Sequence, residues 1–219
     1  MAVTAPTRAA PAGEAVPATP ALPAGAGAST APNGLPRGAT RLGMLLLLAA
    51  DAMVLVTLLA TYFTIRGGSP KWPAAGVQVG TYIPTVLTIT AVMTAMSVSW
   101  MLFAVRHNDQ RNAFAAAVLT VVLGLAMANA QWYAMTNAKF GPGDHAYGTL
   151  YHLFLGYHLA HLLAGLVVVA VVAAQTLAGH YSREDHEPVR AAALFWQYGN
   201  VVWFTVLTVL FLLSPHAQG

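Results

Sequence analysis

The sequence predicts an all-α integral membrane protein: a bundle of five transmembrane helices, N-terminus in the cytoplasm and C-terminus outside. Three observations lead there. Of 219 residues, 57% are hydrophobic and only 8% are charged, whereas a soluble domain carries about 25% charged residues. Five apolar stretches, at about 42–65, 81–105, 112–135, 149–178 and 191–213, are each long enough to cross a bilayer core as a helix. The basic residues between them fall unequally on two sides.

Residues 1–38 are rich in Ala, Pro, Gly and Thr and poor in large apolar side chains. Such a segment cannot offset its ordering entropy, so a disordered cytoplasmic tail is expected. It lacks the contiguous apolar region of a signal peptide. Residues 39–219 form the transmembrane domain.

The first span, LGMLLLLAADAMVLVTLLATYF, is continuous except for Asp51. A connection of about 15 residues follows, with Pro70, Trp72 and Pro73, and is expected to be an ordered loop. The second span carries Pro84 in its first turn, where a missing N–H costs little. In the third, Asn129 and Gln131 are the amides. The fourth is the longest and holds His152, His158 and His161. Gln197 and Asn200 lie three apart in the fifth, flanked by Trp196 and Trp203. None of these runs shows strand alternation, and lipid admits only helices or closed barrels.

Arg8, Arg37, Arg41, Arg106, Arg111, Arg183 and Arg190 fall on one side, against Arg66, Lys71 and Lys139 on the other. Seven against three places the N-terminus in the cytoplasm. Aromatic residues mark both boundaries: Tyr62, Phe63, Tyr82, Trp132, Tyr133 and Tyr147 outside, and Trp100, Phe103, Phe114, Tyr181 and Trp196 inside. The basic residues are too few for a nucleic-acid-binding stripe. With no cysteine, the chain has no disulfide, thiolate metal site or thiol nucleophile.

Ionisable groups inside a span are costly and face partners or cavities. Asp51 is the only acidic residue within a span. It lies roughly 14 Å from the inner edge of its helix, and His161 roughly 18 Å from the outer edge of its own. In a core about 30 Å thick these depths overlap. Asp51 and a histidine of the fourth span are therefore expected to meet near mid-membrane. His158, His161 and Gly165 share one face. Gly156, Ala160 and Ala164 form a small-xxx-small stripe on another, where close helix packing is expected. Both faces buried would make the fourth span the central helix. Gln197, Asn200 and Asn129 read as interhelical hydrogen-bonding residues. No catalytic residue is identified.

Two readings from other classes follow from the same residues. One is a metal or haem held by His158 and His161. No Glu-x-x-His motif accompanies them, and the other spans contain no histidine. The other is a small proton-coupled transporter with Asp51 as its proton site, although inverted repeats and broken helices are absent.

The stretch YGTLYHLFLGYHLAHLLAG, residues 147–165, resembles a segment of cytochrome c oxidase subunit III. Tyr147, Gly148, Gly156, His158, His161 and Gly165 match that family's pattern at its spacing. Ala191, Ala192, Ala193, Trp196, Val201, Val202 and Trp203 match its last span, and Gly43, Met53 and Tyr62 match the corresponding first span. Together these cover about residues 40–214 and correspond to the short, five-helix form of the family. Where the family has a buried glutamate this chain has Asp51. Arg190 stands for a family Glu, Gln197 for a His, Asn200 for an Asp, Trp132 for a Glu and Asn129 for a Gln.

The resemblance implies a non-redox subunit of a bacterial haem–copper terminal oxidase in the plasma membrane. Such a subunit packs on catalytic subunit I and other subunits, holds phospholipid in a cleft, and supports oxygen reduction and proton uptake in aerobic electron transport. Haem and copper are then expected in the partner subunit, with no cofactor or metal on this chain. Asp51, His158, His161, Tyr62 and Trp203 are its implied polar core near the lipid cleft. Related five-helix subunits accompany ubiquinol oxidases and nitric oxide reductases, so such a partner is the alternative.

Overall fold

Apolar length fixes the helices, and local polar groups fix their ends. The computed structural model describes Met1 and residues 38–74, 77 and 79–214. The expected disordered tail lies almost wholly outside these residues. The described residues form five helices and no strand: α1 (Ala39–Gly67), α2 (Tyr82–Arg106), α3 (Gln110–Thr136), α4 (Ala146–Leu177) and α5 (Glu187–Leu207). A π-helical turn, Thr208–Leu212, prolongs α5. All five are long and apolar enough to cross a membrane. They begin or end within a few residues of the expected spans, because polar caps carry a helix past its apolar core.

The caps are specific. Asp109 starts α3, its carboxylate accepting from the Asn112 backbone N–H at 3.0 Å and from the Asn112 side-chain amide at 2.6 Å. These hydrogen bonds hold the Asp109 carboxyl below its ordinary pKa. At the start of α4, His145 Nδ1 accepts from Gly148 N–H at 2.8 Å. Gly148 has to be glycine, since a Cβ there would lie 2.6 Å from the Gly141 carbonyl oxygen.

Helices α2, α3, α4 and α5 pack as a ring, each against the next and α5 against α2. Helix α1 lies outside the ring, chiefly against α5 and only slightly against α4. The ends of the ring are tied by connections. Asn108 accepts from Arg183 N–H at 2.7 Å, and Gln110 donates to the Tyr181 carbonyl. The α2–α3 and α4–α5 connections thus meet at the end that carries Arg106, Arg111, Arg183 and Arg190. There burial, with Asp185 nearby, raises the Tyr181 phenol above its ordinary pKa.

Within this chain the second face of α4 is not covered: Ala160 and Ala164 are exposed and Gly156 is half-buried. A Cβ on Gly156 would meet only the Met135 methyl, at 3.9 Å. Close approach occurs instead where aromatic rings need room. A Cβ on Gly124 would stand 2.6 Å from the Trp196 ring, and one on Gly165 would stand 3.3 Å from it. Helix α4 touches α3, α5 and, slightly, α1, while α5 touches α4, α2 and α1, so the two helices share the central role. The expected boundary aromatics divide into two groups. Phe63, Tyr82, Trp132, Tyr133, Trp100 and Phe103 are exposed, while Tyr62, Tyr147, Tyr181 and Trp196 are buried. A large apolar ring gains by packing inside the bundle when its polar tip finds a partner there, as the Tyr62 and Tyr147 hydroxyls do.

Candidate functional site: a buried polar core

At mid-bundle, α4 presents His158 and His161 on the face turned into the ring, and both are buried. His161 Nδ1 lies 2.9 Å from a carboxylate oxygen of Asp51 on α1. Its Nε2 lies 3.2 Å from the Phe195 carbonyl oxygen on α5. The ring stacks on Phe195, centroids 4.1 Å apart and planes within 9°. One histidine therefore joins three helices. Sequence depth alone places Asp51 and His161 at one level, and the structure brings them into contact.

The geometry limits where the protons can sit. A carbonyl only accepts, so His161 Nε2 carries a hydrogen. A carboxylate facing a bare Nδ1 would be repelled. The Nδ1–carboxylate contact therefore contains one proton. Either an ionised Asp51 faces a protonated, cationic His161, or a neutral Asp51 carboxylic acid donates to a neutral His161. The pair has no net charge in either form, which suits a membrane interior. Asp51 is also held from its backbone, whose carbonyl accepts from the Tyr157 hydroxyl at 3.2 Å.

Gly199 on α5 makes this arrangement possible. A Cβ there would stand 2.9 Å from His161 Cδ2 and 3.1 Å from Nε2. Sequence reading did not single out Gly199. Its one legible signal is the lack of a side chain, a turn from Phe195, beside two polar amides.

His158 has a different partner set. Its Nδ1 donates to Gln131 Oε1 on α3 at 2.7 Å. The Gln131 amide donates to the Leu155 carbonyl at 2.5 Å, which orients its oxygen towards the histidine. Trp203 packs against the His158 ring, centroids 5.4 Å apart. The void beside the two histidines is about 10 Å³, lined by Met127, Gly165, Trp196 and Asn200 among others. That is room for no more than one water. Among the described residues, no three His, Asp or Glu converge as a metal ligand set would. Both Nδ1 atoms are engaged in helix-to-helix hydrogen bonds.

The other singled-out residues separate into three places. Gln197 and Asn200 line the α5–α2 seam. Gln197 donates to the Ala95 carbonyl and Ser99 hydroxyl, both at 3.0 Å. Thr94 donates to Asn200 at 3.4 Å, and Trp203 donates to Thr88 at 3.1 Å. Asn129 instead faces outward and makes no hydrogen bond among the described residues. At 3.6 residues per turn, two positions separate it from Gln131 by roughly 160° around α3, so it points away from the ring.

Tyr62 stands apart from the histidines, at the far end. It is fully buried and donates to the Val209 carbonyl at 2.8 Å, with Ser214 Oγ at 3.0 Å and Trp72 Nε1 donating to it at 3.2 Å. Tyr147 donates to the Leu210 carbonyl at 2.8 Å. Both acceptors lie in the π-helical turn, where the wider winding leaves carbonyls open to side chains. Nothing in the sequence of 208–212 announces that turn.

The family comparisons agree with this architecture along its whole length. The family model for cytochrome c oxidase subunit III matches residues 28–214. A cytochrome c oxidase subunit 3 of Thermostichus vulcanus is 24% identical over 174 residues, covering 79% of this chain and 87% of the relative. That of Synechocystis sp. is 26% identical over 173 residues, covering 78% and 74%. A third, from Prototheca wickerhamii, is 27% identical over 179 residues, covering 78% and 68%. With five apolar helices in order and the match running from before α1 to the end of the π turn, the chain belongs to the cytochrome c oxidase subunit III family.

Proposed function

We propose that this chain is the non-redox subunit of a bacterial haem–copper oxidase, seated in the plasma membrane with its arginine-rich end in the cytoplasm. It packs on catalytic subunit I and holds phospholipid. It supports oxygen reduction and proton uptake by that partner, in which the haem and copper reside. The electron donor is cytochrome c, as in the names of the relatives. One observation carries the reading: the two buried histidines are engaged in joining helices. His161 ties α4 to α1 and α5, and His158 ties α4 to α3. Their ring nitrogens act as structural donors and acceptors, which favours a scaffold over a chain with its own redox centre. The cyanobacterial relatives support a bacterial membrane.

The test is purification of the tagged chain from its native membranes in mild detergent. A larger polypeptide containing haem and copper is expected to co-purify. Recovery of this chain alone, with stoichiometric haem or metal bound, would overturn the proposal.

A further inference from the structure

At the end of the bundle opposite the arginines, α3 and α4 are joined by a histidine that the buried polar core does not use. His152 is in the second turn of α4, which begins at Ala146, about 9 Å along the helix, and is half-buried. Phe140 and Tyr151 meet its ring in T-shaped contacts. Both ring nitrogens face carbonyl oxygens. Nδ1 is 2.9 Å from that of Gly148 on its own helix, and Nε2 is 3.3 Å from that of Met135 on α3. A carbonyl only accepts, so each contact is a hydrogen bond only when that nitrogen carries a hydrogen. A neutral imidazole has one such hydrogen and leaves a bare lone pair against the other oxygen. The imidazolium satisfies both. The place suits a cation for a second reason. Met135 is in the last turn of α3, where carbonyls lack helical partners and the helix dipole is negative. Its oxygen accepts no backbone N–H among the described residues, and that turn contains no basic residue. His152 brings from α4 the charge that the end of α3 lacks.

We infer that His152 is a proton-binding clasp on the outer face. A proton taken from the outer aqueous phase onto the free ring nitrogen ties the end of α3 to α4, and loss of that proton loosens it. Around the ring, α4 brings Tyr151 and, at its N-cap, His145; α3 brings Tyr133; the connection between them brings Lys139 and Asp144. None of these is hydrogen bonded or ion-paired to His152 among the described residues. The Asp144 carboxylate is engaged by Gly141 N–H, and His145 Nδ1 by Gly148 N–H. The two carbonyls and the helix end therefore hold the proton. The clasp also borders a space. The Tyr151 hydroxyl donates to the Ala134 carbonyl at 3.4 Å, one residue from the clasp on each helix. Ala134 and Tyr151 line a cavity of about 560 Å³ between α2, α3, α4 and Phe211. Protonation of His152 sets how firmly that wall is held. The inference goes beyond the function proposed above and takes from it only the orientation that puts this end outside.

The full chain, purified with its complex, is reconstituted in bilayers. Backbone hydrogen exchange of residues 133–137 is then followed at about pH 5 and about pH 8, the range over which a histidine changes charge. Each rate is divided by the intrinsic exchange rate at the same pH. Protection in the wild type is expected to be about tenfold higher at the acid end, the size of effect that a well-placed cation has at a helix C-terminus. His152→Gln keeps an N–H donor for Met135 without a titrating charge, so its protection should be the same at both pH values. Wild-type protection that is flat, or that rises towards pH 8, overturns the inference, and this reading needs no variant to fold. An equal pH response in wild type and His152→Gln also overturns it, because the response would then belong to another group such as Asp144 or His145. Orientation is read separately. Lys139 is expected to react with a membrane-impermeant amine reagent in right-side-out membrane vesicles. Reaction only after the membrane is opened would overturn the outer source of the proton, while the exchange measurement reports on the clasp independently of sidedness.

Discussion

Helices α1 and α4 have the same appearance in sequence and opposite fates in the structure. Both are long, apolar and interrupted by ionisable residues at mid-span. Yet α1 buries only Leu55 and Tyr62, whereas α4 buries fifteen residues, including both histidines. Leu46, Met53, Val56 and Phe63 of α1 face outward. Lipid tails are as apolar as leucine, so hydrophobicity gives α1 no reason to bury more of itself. Polar side chains anchor it near two levels instead: Asp51 against His161 at mid-helix, and Tyr62 against the end of α5. In this protein burial follows polar contacts and close packing, and apolar content says little about it.

The sharpest way to break the comparison is to add one methyl group to each region. Gly124→Ala puts a Cβ 2.6 Å from Trp196 and 2.8 Å from Leu166. It should destabilise the ring by ~1–3 kcal/mol through overpacking. Gly43→Ala in α1 meets nothing within 4 Å and should stay within about 0.5 kcal/mol of wild type. Thermal unfolding in detergent measures both, and equal shifts would mean that α1 is packed as the ring is.

Removing the mid-helix anchor comes next. Asp51→Leu should cost ~1–2 kcal/mol, the upper range for polar contacts between membrane helices. It should also reduce lipid retention and assembly more than Gln197→Leu, whose half-buried amide contributes about 0.6 kcal/mol. Co-purification of the catalytic subunit ranks the two, and equal losses would sink the ordering.

The far anchor is smaller. Tyr62→Phe keeps the ring among Phe63, Trp72 and Phe154 and loses only the hydroxyl's contacts with Val209, Ser214 and Trp72. A cost of about 1 kcal/mol is expected. Faster hydrogen exchange should then be confined to the ends of α1 and α5, and a global change would contradict a local anchor.

The smallest effect concerns pH at the arginine-rich end. Asp109 has a folded pKa below its ordinary 3.8, held down by Asn112. The sign is that of a depressed carboxylate: its stabilisation is present above the unfolded pKa and lost as pH falls through the lower folded value. Asp109→Asn keeps a capping side chain and should flatten the acid limb of an unfolding curve. An unchanged acid limb would show that other carboxylates set it.

Much of the fold was legible. Helix number and extent followed from apolar run length, because a bilayer demands about the same length of every span. The shared level of Asp51 and His161 was also legible, since helical rise converts sequence position into depth. Rotation was not. The stripe of Gly156, Ala160 and Ala164 has a spacing that suits close packing, yet it turns outward. Gly124 and Gly199, which stand alone in sequence, are the positions where a ring requires an absent side chain. Gln131 and Asn129, two residues apart, looked alike. Only the azimuth of α3 made one the partner of His158 and left the other exposed.

By itself, the sequence determined that five helices cross a membrane, which family they belong to, and at what depth each polar group lies. These depend on composition, order and length, all properties of one dimension. The tertiary structure alone decided which face of each helix looks inward, that α1 stands outside the ring, and that α5 ends in a π turn capped by Tyr62 and Tyr147. Those outcomes depend on how side chains of different helices fill space around Trp196, His161 and Phe195. An apolar surface facing lipid or facing another helix has nearly the same free energy per unit area, so hydrophobicity could not choose between them.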